Sequence, residues 1–204
     1  MRLGERPQVS WQSMTAGTKG ADMIKVIVFD YGGVLVREKD IELTDVEDKL
    51  ERFFGKNYSD EKYAKQVNKI EPNSAKALKT TKNIIDILYE IKDKDLFSRL
   101  NKKYPDIIFA IGTNHISYIE KHIKETLDIK HIDKIFVSAK MNKVKPHLNF
   151  YREIIKYYKL KPEEFLFVDD NQENVDGAIK AGMYAIKINR GDNVFKKVCE
   201  FLEG

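Results

Sequence analysis

The stretch that most constrains the fold is Lys25–Val36, KVIVFDYGGVLV. Val26, Ile27, Val28 and Phe29 run without polar alternation, the pattern of a strand covered on both faces in a parallel sheet. The run delivers one carboxylate, Asp30, and then Gly32-Gly33, where the backbone turns freely and a ligand can approach closely. In open α/β sheets ligands bind outside the carboxyl ends of the strands, which is where Asp30 falls. On this stretch alone the aspartate serves equally well as a turn or helix-cap residue.

From Glu38 to about Asp93 the pattern is helical, and nothing there reads as a strand. Thr44 and Glu47 have capping-box spacing, and Leu43, Val46, Leu50 and Phe53/Phe54 follow at helical intervals to a stop at Gly55. Ser59 caps a second helix through about Ile70, closed by Pro72, and Ile84, Leu88 and Ile91 mark a third apolar face. After that, strands and helices alternate. Strands are expected at Asp106–Ile111, Lys134–Val137, Phe165–Val168 and Tyr184–Ile188. The helices between them carry Ile116/Ile119/Ile123/Leu127, Phe150/Ile154/Tyr157 and Glu173–Ala181, and Asn193–Leu202 closes the chain. This order implies right-handed βαβ units, hence an α/β fold with a parallel sheet. The expected division is a core of residues 24–37 and 94–204 with a small helical insert, 38–93, after the first strand.

Residues 1–23 differ in character, with Gly, Ser, Thr, Gln and the only tryptophan, Trp11. They lack the hydrophobic centre of a secretory signal and are expected to be a disordered leader or tail, Met23 being a plausible start. Trp11 has the alternative use of anchoring that segment to the domain. The net charge of +4 comes from intermixed Lys and Asp/Glu, the composition of a solvated surface, and no nucleic-acid-binding signature is present. No apolar run reaches the roughly 20 residues of a membrane span. The single cysteine, Cys199, allows no internal disulfide and fits a reducing, cytoplasmic setting.

The strand ends offer a set of polar groups: Asp30, then Thr113 and Asn114, then Asp169-Asp170, with Lys145 on a loop before a helix. Each has an ordinary explanation. Thr113 suits a helix cap, Lys145 a solvated surface, and the acidic pair a helix start. Together they make a chemical set. Adjacent carboxylates repel without a cation, and hard oxygen ligands suit Mg²⁺. Thr113, Asn114 and Lys145 supply the donors and charge a phosphate requires, and a carboxylate such as Asp30 can attack phosphorus to form an aspartyl-phosphate.

FDYGGVL, IGTN, VKP and FVDDNQENVDGAIKAG, in that order, resemble the four motifs of the haloacid dehalogenase superfamily, from about Ile24 to Asn189. The resemblance implies a Rossmann-like three-layer core and makes residues 38–93 a small helical cap that closes over the site and helps choose the substrate. It implies that Asp30 is the nucleophile and that Thr113 and Lys145 hold the phosphoryl group. Asp170, Asp169, Asp30 and the main-chain carbonyl of Gly32 would hold Mg²⁺. The expected activity is Mg²⁺-dependent hydrolysis of small phosphomonoesters.

One position departs from the pattern. The family's phosphatases carry a second aspartate two residues after the nucleophile, which protonates the leaving group and activates water; here that position is Gly32. Loss of a general acid costs roughly 10² to 10⁴ in rate. Three outcomes follow: substrates whose leaving group needs less protonation, such as sugar-1-phosphates or acyl phosphates; replacement by a cap residue, His115 or His147; or a degenerate, non-catalytic binding protein. A branch of the family with aspartate-x-glycine-glycine, including sugar-1-phosphate phosphatases, is similar here. The 2-haloacid dehalogenases of the family also lack the second aspartate, but they need no metal and lack the acidic pair.

Overall fold

The computed structural model describes residues 23–55 and 59–204. The leader expected over residues 1–23, with Trp11, lies outside them except for Met23. In chain order, β1 (Val26–Phe29) and β2 (Val36–Glu38) are followed by helices α1 (Asp45–Glu51), α2 (Asp60–Val67) and α3 (Ser74–Leu88). Next come β3 (Tyr89–Ile91), α4 (Leu96–Lys103), β4 (Ile108–Thr113), α5 (Ile119–Thr126) and β5 (Ile132–Val137). The chain ends with the short α6 (Ser138–Met141), α7 (Leu148–Tyr158), β6 (Phe165–Asp169), α8 (Gln172–Lys180), β7 (Tyr184–Lys187) and α9 (Val194–Glu203).

Five strands form one parallel sheet in the order β5-β4-β1-β6-β7. The central β1 is fully buried, and its period-two geometry sends side chains into two separate cores. Val26 and Val28 pack with Phe150, Phe167 and Val175, on the side of α7 and α8. Ile27 and Phe29 pack with Leu100, Ile119, Val198 and Val168, on the side of α4, α5 and α9. Apolar residues are therefore needed at every position of β1, each contributing roughly 1.5–3 kcal/mol on burial. The result is the three-layer α/β arrangement.

Sheet register then sets the site. Phe29 of β1 lies opposite Ile111 of β4 and Val168 of β6. The next residue along each strand is Asp30, Gly112 and Asp169, so two carboxylates from sequence-distant segments arrive at one level, with Thr113 one step further. The Asp30 N–H donates to the Val168 carbonyl at 2.8 Å, which extends that register through the carboxylate.

The insert is framed by a ribbon that sequence patterning missed. Residues 38–93 contain a strand after all: Tyr89–Ile91 pairs antiparallel with Val36–Glu38, Val36 opposite Ile91. Ile91 lies seven residues from Ile84 and three from Leu88, so it mimics the next turn of α3, and a three-residue strand is too short to display alternation. Within the insert the capping signals are realised. Glu47 N–H donates to Thr44 Oγ1 at 3.4 Å while Thr44 N–H donates to Glu47 Oε2 at 2.9 Å, and Ser59 Oγ accepts from Lys62 N–H. Leu50, Phe54, Ile84 and Leu88 share the α4/α5 core. Strands β4 and β5 also differ by about two residues from the expected bounds, which brings Gly112 and Thr113 inside the sheet.

Polar and aromatic contacts fasten the insert to the core. Ser117 N–H donates to Asp60 Oδ1 at 2.9 Å, and Asp86 Oδ1 meets both the Tyr118 hydroxyl and His122 Nδ1, at 3.3 and 3.1 Å. Phe54 stacks on His115 at 5.1 Å, and the Tyr89 hydroxyl meets His115 Nε2 at 3.1 Å. Among the described residues no helix is long and apolar enough to cross a membrane.

Candidate active site

The buried Lys145 ammonium bridges two carboxylates, 2.9 Å from Asp30 Oδ1 and 2.7 Å from Asp169 Oδ2. Asp30 Oδ1 also accepts the Tyr31 N–H at 2.7 Å. That oxygen already has two donors, which leaves Oδ2 the freer of the two. Asp169 Oδ1 accepts from Asn171 N–H and Asn174 Nδ2, both at 2.9 Å. A buried charge is tolerated only when paired and hydrogen-bonded, and Asp169 meets that condition with three donors.

Burial pushes the Asp30 carboxyl up to about 7, with the Asp169 charge adding to the rise and Lys145 opposing it. Burial would lower the Lys145 ammonium, but the two carboxylates outweigh it and hold its pKa above the ordinary value. Asp170 is raised by partial burial and by Asp169. One ammonium thus stands against three carboxylates. Asp30, Asp169 and Asp170 each offer an oxygen within 4.8 Å of the others, a donor set of hard ligands that a divalent cation fits.

The loop carrying Lys145 is tied down from two sides. The Asn114 amide spends both ends on it, accepting from Lys145 N–H and donating to Lys145 C=O, each at 2.9 Å. Asn114 is expected on the phosphoryl group; in the structure its side-chain amide is paired with the Lys145 peptide. A β4 end and a loop thirty-one residues later can be joined this way because the amide matches a peptide's donor and acceptor. On the other side, a Cβ at Gly177 would stand 2.6 Å from the Pro146 carbonyl, so only glycine lets α8 pack this closely. Thr113, 3% exposed, closes β4 beside these groups.

The turn after Asp30 treats its two glycines oppositely. Gly33 has φ +73° and a Cβ there would fall 2.0 Å from Asp170 Oδ2, so Asp170 packs directly on the glycine. A Cβ at Gly32 would meet nothing within 4 Å. Lys92, at the end of the ribbon, donates to the Gly33 carbonyl at 2.9 Å. Sequence reasoning missed it, since nothing distinguishes one lysine in a lysine-rich segment.

Of the two histidines considered as a substitute acid, His115 is engaged by its neighbours and His147 is open to solvent. His115 accepts the Ile116 N–H through Nδ1 at 2.9 Å, and its other nitrogen faces Tyr89. Burial pushes its pKa down to about 3, which keeps the ring neutral. His147 is exposed at the start of α7.

The family model described as haloacid dehalogenase-like hydrolase matches residues 27–188. The chain belongs to that family. A solved structure of a predicted hydrolase of the family from Porphyromonas gingivalis is similar over 89% of this chain and 99% of its own, with TM-score 0.71 and 22% identity. A family enzyme from Bacteroides thetaiotaomicron, solved with magnesium and inorganic phosphate, gives TM-score 0.63 and 14% identity over 83% of this chain and 96% of its own. The crystal structure of a dehalogenase gives TM-score 0.61 and 17% identity over 90% of this chain and 99% of its own. At these identities the likeness is one of fold. A curated relative, drimenol cyclase drtB of Aspergillus calidoustus, is 36% identical over 66 residues, 32% of this chain and only 12% of its own length.

Proposed function

We propose that this haloacid dehalogenase-like hydrolase is a Mg²⁺-dependent phosphomonoesterase working through a phospho-aspartyl intermediate. The observation that carries the reading is the convergence of Asp30, Asp169 and Asp170 around one buried ammonium, Lys145. Asp30 Oδ2 attacks phosphorus, the phosphorus–ester oxygen bond breaks, and the leaving oxygen takes its proton from solvent. Water then attacks the acyl phosphate, releasing phosphate and restoring the Asp30 carboxylate. Lys145 and Thr113 offset charge on the phosphoryl oxygens, and Asn114 holds Lys145 in place. Asp30, Asp169, Asp170 and the Gly32 carbonyl would hold Mg²⁺, which supplies further positive charge there. Residues 38–93 act as the cap. With no acid at position 32, the reading favours leaving groups that need little protonation, such as an anomeric sugar oxygen or an acyl phosphate. The cytoplasm is the setting we assign, on the single buried, unpaired Cys199.

The test is phosphate release across a panel that includes sugar-1-phosphates and acyl phosphates. Turnover is expected with Mg²⁺, with loss in EDTA and in Asp30→Asn. Gly32 also supports a second reading, a 2-haloacid dehalogenase. Against it, Asp170 would add to the two carboxylates that share Lys145 a third with no cation of its own beside an anionic substrate. Metal-independent halide release by the wild type would overturn the phosphatase reading. Silence across the whole panel would favour a non-catalytic binding protein.

A further inference from the structure

A cleft of about 1180 Å³ opens beside the site, with Gly32 and Asp170 in its wall. Another part of that wall is the turn after β7, a strand end that strand-by-strand reading left without a role. Lys187 is the register partner of Asp169, so it stands one strand away from the carboxylate cluster. Arg190 follows on the turn Asn189–Asp192. That turn is pinned: Asn189 N–H donates to Asp192 Oδ2 at 2.8 Å and Asp192 N–H to the Asn189 carbonyl at 3.0 Å.

The cleft wall carries as many anions as cations, but most of the anions are already engaged while three of the cations are, among the described residues, not in ion pairs. Glu90 is paired with Arg37 at 2.8 Å, Asp192 with Lys197 at 3.8 Å, a residue outside the cleft lining, and Asp170 belongs to the carboxylate cluster. That leaves Glu38 against Lys92, Lys187 and Arg190, and among the described residues neither Lys187 nor Arg190 has an ion-pair partner. Exposed cations are common, but these sit on a pinned turn and a strand end beside the carboxylate cluster, so the backbone that presents them is already ordered and only the side chains have freedom to lose on binding.

We infer that Lys187 and Arg190, with Lys92, form a subsite for a second anionic group on the substrate, a carboxylate or a second phosphate joined by a short chain to the reacting phosphoryl group. This rests on the phosphatase reading and names its substrate class.

The test uses non-hydrolysable probes on the Mg²⁺-loaded protein, so it does not depend on turnover. Phosphonoacetate, 3-phosphonopropionate and 4-phosphonobutyrate are titrated calorimetrically beside methyl-, ethyl- and propylphosphonate. At least one carboxylated probe should bind roughly tenfold tighter than its alkyl counterpart, the scale of one charge-assisted contact. The Lys187→Ala/Arg190→Ala double variant, changed only at exposed positions, should lose that gain and keep alkylphosphonate affinity. Equal binding of the two series, or a gain that survives the double variant, overturns the subsite and leaves the phosphatase reading intact. Failure of every alkylphosphonate to bind overturns both.

Discussion

Asp30 and Tyr31 are consecutive, yet they belong to two buried regions of opposite character. Asp30 enters a charged cluster in which one ammonium joins two carboxylates at 2.9 and 2.7 Å. The Tyr31 ring enters an aromatic junction, edge-on to Tyr89 at 5.4 Å and 6.5 Å from His122, where residues 38–93 meet the rest of the chain. The backbone reverses side-chain direction between the two, so one short stretch feeds both. The difference teaches what each region is for. Ions are buried at a cost and persist only in matched sets, whereas an aromatic junction gains from burial itself. The charged set gathers the polar groups proposed for the chemistry, and the aromatic one fastens residues 38–93 to the sheet domain.

The sharpest way to break the contrast is to remove the shared cation. Lys145→Met leaves Asp30 and Asp169 buried without it, and the expected loss is about 3–5 kcal/mol of stability, the scale for breaking a buried pair. Denaturant unfolding at neutral pH in EDTA measures it. Added Mg²⁺ should recover more stability in the variant than in the wild type, because the cation then replaces a missing charge. Equal recovery would mean that the carboxylates do not act as one cluster.

The next test works on the turn between the regions. Space is open at Gly32 and closed at Gly33, although the two are neighbours. Gly32→Asp should fold normally and raise turnover of alkyl phosphates by about 10²-fold, the low end for a general acid, while barely changing aryl phosphates with good leaving groups. Gly33→Ala should instead strain a positive φ and displace Asp170, weakening Mg²⁺ binding by roughly tenfold. A Gly32→Asp variant with no leaving-group dependence would show that the missing acid is not what limits this enzyme.

The charged region was legible in the sequence for a physical reason. Strand-end chemistry repeats a pattern, a hydrophobic run followed at once by a polar group, and the register of a parallel sheet aligns those ends. Asp30, Thr113 and Asp169 could be gathered this way without coordinates. The role of Asn114 could not, because its choice of the Lys145 peptide over a ligand depends on a loop that local pattern does not place. The ribbon of β2 and β3 was missed because pairing across fifty residues leaves no local mark on three-residue strands. The aromatic junction was hidden for a similar reason. Tyr31, Tyr89, His115 and His122 carry no shared spacing, and only the folded insert brings them together.

The smallest expected effect probes the one ring in that junction that burial keeps neutral, His115. His115 is buried against Phe54 and Tyr89, and its pKa is pushed from 6.5 down to about 3. Between those values the unfolded chain binds a proton at His115 that the folded chain refuses. Stability therefore holds above pH 6.5 and falls as pH drops, by at most about 1.4 kcal/mol per unit from this one group. His115→Gln keeps a polar side chain but cannot titrate. Its stability at pH 7 will differ from the wild type through the lost ring contacts, so the informative quantity is the slope. Denaturation series from pH 7 to pH 4 should give the variant a shallower decline, by up to one proton. Parallel slopes, or a His115 resonance titrating near 6.5 in the folded protein, would show that water reaches the junction and that the insert opens there.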